Sequence, residues 1–111
     1  HRPGDANQLR FLAGFYGTVR MNAVPLAVVI SMLEGRQYRS VPIAEIAPKD
    51  GLVRLKFVGR GQTVYMLWST SKPMTLTIPE QMKSIVNMWG RPIAYHPTLQ
   101  ITEQPVYLIM D

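Results

Sequence analysis

A chain of 111 residues is long enough for one domain with a buried core and too short for two. Apolar residues make up 47% and charged residues 17%, a globular balance that excludes intrinsic disorder, and the absence of cysteine excludes disulfides and thiolate metal sites. Twelve Lys/Arg against seven Asp/Glu give a net charge of +5, yet the basic residues are scattered without a dense block, so the charge argues against nucleic acid as the partner.

Residues 1–7 read as a flexible lead-in, and residues 8–111 as a single domain. The start His1-Arg2-Pro3-Gly4-Asp5 has neither an initiator Met nor a signal peptide, which suggests a piece of something longer or a processed chain. No apolar run reaches the roughly 18 residues that span a bilayer, so no membrane partner is expected. Residues 9–19 are apolar but contain Gly14 and Gly17, and fit a short helix or an irregular packed arm equally.

From Asn22 the pattern sharpens. Asn22 can cap a helix, Pro25 suits its first turn, and Leu26, Val29, Ile30 and Leu33 form one apolar stripe before Gly35 stops it, which predicts a helix over 23–34. The period then changes to two. Strands are expected over 38–46 (with a possible break at Pro42), 52–58 and 62–69, with Gly59-Arg60-Gly61 closing a hairpin between the last two. Val53, Leu55 and Phe57 share one face and Arg54 and Lys56 the other. The strand 62–69 is apolar on both faces and is expected at the centre of a sheet. Further strands are expected over 74–78, 83–88, 98–102 and 106–110, the last two forming a closing hairpin around Glu103-Gln104-Pro105. Seven strands behind one helix predict an all-β fold with one N-terminal helix, an antiparallel β-sandwich of about seven to eight strands.

Taken together and in order, five phrases resemble the accessory β-sandwich that many TIM-barrel glycoside hydrolases carry, often at the C-terminal end. They are Leu33-Glu34-Gly35-Arg36-Gln37-Tyr38, the strand end Leu55-Lys56-Phe57, the strand Val64-Tyr65-Met66-Leu67-Trp68-Ser69, the turn Ile85-Val86-Asn87-Met88-Trp89-Gly90, and the ending Leu99-Gln100-Ile101-Thr102-Glu103-Gln104-Pro105-Val106-Tyr107-Leu108. The likeness covers roughly residues 26 to 109. Asn87 departs from it, since the family usually has Asp there, but either side chain can cap the turn that Gly90 closes. The resemblance implies a non-catalytic domain whose partner is a catalytic TIM-barrel and whose compartment is secreted or periplasmic. It carries over no catalytic residue and no cofactor.

The residues agree that this chain by itself is not an enzyme. Glycoside hydrolysis needs two acids flanking one bond, whereas Glu34, Glu45, Asp50, Glu80, Glu103 and the terminal acids fall mostly at turns and element ends. The histidines are His1 and His96, and one loop histidine without a Cys, Asp or Glu cluster does not make a zinc site. Exposed aromatic rings stack on sugar faces, and Trp89 and Tyr95, which both fall in loops, are the candidates for contact with a polysaccharide. Phe11, Phe15 and Tyr16 are the candidates for a domain interface, the other reading of their stretch being a cover over an open sheet face. A reading from a different class is a small basic β-barrel that binds single-stranded nucleic acid, with Arg54 and Lys56 beside Tyr65 as the place to look.

Overall fold

A computed structural model describes residues 23–82 and 84–111. The predicted cap Asn22, the apolar stretch 9–19 and the interface candidates Phe11, Phe15 and Tyr16 lie outside the described residues. One helix, α1 (Ala23–Leu33), precedes eight strands: β1 (Gln37–Arg39), β2 (Leu52–Gly59), β3 (Gln62–Ser69), β4 (Met74–Thr77), β5 (Ser84–Asn87), β6 (Pro92–Ile93), β7 (Thr98–Ile101) and β8 (Val106–Met110). They form a six-stranded antiparallel sheet in the order β1-β2-β3-β8-β5-β6 and a two-stranded sheet of β4 and β7. The expected antiparallel, mostly β architecture with one helix is therefore the one observed.

β3 is central, paired with β2 on one side and β8 on the other. Its alternation splits the core in two. Val64, Met66 and Trp68 pack with Val53, Leu55, Phe57, Tyr107 and Val29 of α1. Tyr65 and Leu67 pack on the opposite face with Ile85, Leu108 and the small sheet's Leu76 and Ile101. The large sheet is thus covered by a helix on one side and by β4 and β7 on the other.

Local chemistry explains the turns. Gly59 pairs with Gln62, so Arg60-Gly61 forms a two-residue hairpin loop with φ of 57° and 74°, the left-handed pair of a type I′ turn. A Cβ on Gly59 would also strike the Gly35 carbonyl oxygen, so the end of α1 packs onto this hairpin because both positions are glycine. Asn87 Oδ1 accepts hydrogen bonds from the amides of Trp89 (2.9 Å) and Arg91 (3.0 Å), which is the capped turn expected of it.

Several expectations need correction. α1 ends at Leu33 rather than 34, and Ile30 is exposed instead of lying in the buried stripe. The strand expected over 38–46 stops at Arg39. Pro42 has no N–H for a ladder, and its carbonyl instead accepts the amides of Glu45 and Ile46 in a turn. β6 was not foreseen, because two residues beginning with Pro92 carry no periodicity. β7 and β8 do not form a hairpin: β7 pairs with β4 in the small sheet, while β8 enters between β3 and β5. Residues 103–105 are a crossover between layers, and the Ser69 amide donates to the Thr102 carbonyl (2.7 Å) where the layers meet.

Candidate functional site

Helix α1 holds the most unusual surface of the described residues. Its sequence AVPLAVVISML has one polar residue, Ser31. Its inner side seats Val29, with Leu26 and Leu33 partly buried, against the large sheet. Its outer side is apolar and, among the described residues, is left exposed. Val24 is 50% exposed and Ile30 47%. A groove of about 540 Å³ runs along it, lined by Val24, Ala27, Val28, Met32 and, from the β5–β6 turn, Gly90. The turn sits tight on the helix, since a Cβ on Gly90 would come within 3.2 Å of Val28 Cγ2. Trp89, next in the chain to Gly90, is 40% exposed.

The two sugar-contact candidates do not form one platform. Trp89 stays available in its turn next to α1. Tyr95 is partly buried against the core on the far side of the large sheet, and its hydroxyl donates to the Ile78 carbonyl (2.8 Å). That bond and packing give Tyr95 a structural task, holding the β6–β7 loop against the end of β4. His96 Nδ1 lies 3.2 Å from Thr98 Oγ1 within its own loop.

The basic strand face of β2 is not an open groove. Residues 41–46 cross it as a strap. Arg54 donates to the Ile46 carbonyl and to the Val41 carbonyl (3.4 Å). Lys56 Nζ meets Glu45 Oε1 at 2.8 Å and lies 5.7 Å from the centre of the Tyr65 ring. The Tyr65 hydroxyl donates to the same carboxylate, and Tyr65 is fully buried. Burial works against the charge on Glu45, but the hydrogen bonds from Lys56 and Tyr65 and the lysine's charge outweigh it, so its pKa is lowered. Burial, reinforced by the hydrogen bond and charge of Glu45, pushes the Tyr65 phenol well above its ordinary range. Burial also lowers the Arg54 pKa. This cluster was missed in the sequence because Glu45 sits in what read as a strand. The only signal for it was two cations on a strand face opposite an apolar one.

The other described acids, Glu34, Asp50, Glu80, Glu103 and Asp111, are exposed. Among the described residues no three His, Cys, Asp or Glu side chains gather as a metal site, and no helix is long and apolar enough to cross a membrane. No family model matches the chain, and no curated protein or solved structure matches it.

Proposed function

We propose that this chain is a non-catalytic accessory β-sandwich of a glycoside hydrolase, supporting a catalytic TIM-barrel from its helical side. The observation that carries the reading is the outer face of α1. A helix apolar on every side is normally covered on every side, and among the described residues only its inner half is covered. Exposed apolar surface of that kind marks contact with another part of a protein. The ordered phrases that resemble the hydrolase accessory domains supply the identity of the neighbour, and a secreted or periplasmic compartment follows from the same resemblance.

The test is to express the longer polypeptide that carries this segment and assay it, beside the isolated chain, on a panel of glycosides. Hydrolysis by the longer protein, lost on mutating carboxylates outside residues 1–111, is the expected result. Hydrolysis by the isolated chain, or a longer polypeptide without a hydrolase domain, contradicts the reading. Direct polysaccharide binding is a separable extension that rests first on Trp89, the more exposed of the two candidates, since Tyr95 is partly buried with its hydroxyl bonded to the Ile78 carbonyl. Retention of the chain on an insoluble glycan, abolished by Trp89→Ala, supports it, and no retention on any glycan removes it. No described feature favours the nucleic-acid reading, since the strap occupies the strand face it requires.

A further inference from the structure

We infer that a polar pocket where the β2–β3 ladder ends binds a sugar unit through its hydroxyl groups. The inference goes beyond the accessory reading, since it uses neither α1 nor Trp89 and holds whatever chemistry the parent protein performs.

β2 begins where β3 ends, with Leu52 paired to Ser69. Two loops meet beyond that pair. One is the turn over 49–51, closed by the Leu52 amide donating to the Lys49 carbonyl (3.0 Å). The other leads from β3 to β4 over 70–73. A pocket of about 410 Å³ opens between them, lined by Asp50, Gly51, Leu52, Val53, Thr70 and Ser71. That volume lies in the range of small-molecule sites, about 300 to 1,000 Å³, and has room for a sugar ring.

The walls are held by bonds that leave the polar side chains of the pocket available. The Thr70 amide donates to the Gly51 carbonyl (2.8 Å), the Ser69 hydroxyl to the Lys72 carbonyl (2.7 Å), and the Ser71 amide to Ser69 Oγ (3.2 Å). Gly51 has a φ of 82°, and a Cβ there would strike Ser71 Oγ, so glycine lets the serine hydroxyl close onto the turn. Among the described residues, the Asp50 carboxylate and the Ser71 hydroxyl have no hydrogen-bond partner. The Thr70 hydroxyl donates to the Gly51 carbonyl (3.2 Å) and keeps its lone pairs.

These groups select the ligand. Asp50 only accepts, Thr70 has already used its proton, and Ser71 can donate or accept. A pocket rich in acceptors requires a ligand rich in donors. Asp50 repels an anion. Lys49 and Lys72, on the same two loops, oppose a cation, and Lys49 is fixed in place by donating to the Thr75 carbonyl (3.1 Å). Neutral hydroxyls satisfy both conditions, and two on neighbouring ring carbons can donate together to one carboxylate.

The test is to titrate the isotope-labelled chain with methyl β-glucoside, methyl β-xyloside and methyl β-galactoside and to follow amide chemical shifts. At least one probe should give saturable shifts at residues 50–53 and 70–71. Asp50→Asn, which keeps the shape and removes the charge, should weaken that binding at least about fivefold. Glu80→Gln, which removes an equally exposed carboxylate beyond β4, should leave it unchanged. No saturable shift at these amides with any of the three probes overturns the inference, and so do shifts confined to the surroundings of Trp89. Binding that Asp50→Asn leaves intact also overturns it. Tighter binding of ethylammonium than of any glycoside would make the pocket a cation site and overturn it as well. None of these readouts involves the helical face, so failure here leaves the accessory reading standing.

Discussion

Glu45 shows how one side chain converts a loop into part of a fold. It receives Lys56 and Tyr65 at once and pins residues 41–46 over the outer face of β2 and β3. Its folded pKa is lowered, so the unfolded chain binds a proton more readily. Stability from this contact is therefore present above the unfolded value of about 4.3 and is lost as pH falls through the lower folded value. The melting temperature of the wild-type chain should fall more steeply between about pH 5 and about pH 3 than that of Glu45→Gln. Parallel slopes for the two would show that the carboxylate does not hold the strap. Asn87 is the second local device. Its Oδ1 serves two amides in the turn that presses Gly90 against α1. Asn87→Ala should cost about 1 to 3 kcal/mol in denaturant unfolding, whereas Asn87→Asp should be close to neutral, because a carboxylate accepts the same two bonds.

Elements with a strong local period were legible, and those defined by distant pairing were not. β3 could be read residue by residue, because an apolar pattern on both faces of eight residues fits a buried central strand and little else. β2 was legible from Val53, Leu55 and Phe57, and the hairpin from Gly59-Arg60-Gly61. β6 was not, and the separation of β7 from β8 was not, because a short connection containing Pro105 fits a hairpin and a crossover equally. The half-covered α1 was legible as a helix. Its open groove was not, since sequence periodicity does not say which apolar residues find a partner. Of the two aromatic candidates, only a tertiary bond to Ile78 separated Tyr95 from Trp89. The first core cluster also sets a prediction at this scale. Leu55 is fully buried between α1 and the large sheet, so Leu55→Ala should lower unfolding free energy by about 2 to 5 kcal/mol. A loss under about 1 kcal/mol would mean the helix does not close that face in solution.

Among the described residues the large sheet is covered differently on its two sides. On one side, β4 and β7 cover the second core cluster, and the chain crosses back so that β8 enters the large sheet next to β3. On the other, α1 covers the first cluster, and no described element covers its outer side, where Ile30 is exposed on the helix and Trp89 is exposed in the turn beside it. The proposed role as an accessory domain uses this surface for contact with a neighbour. The most direct test is thermal unfolding of Ile30→Glu/Trp89→Glu, made both in this chain alone and in the longer polypeptide that carries it. Surface substitutions cost little by themselves, so the isolated chain should unfold within about 3 °C of wild type, while in the longer protein the sandwich transition should drop by about 5 °C or more and separate from that of its neighbour. Equal shifts in both settings, or none in the longer protein, would contradict the proposal that the helical face is a contact with a neighbouring domain.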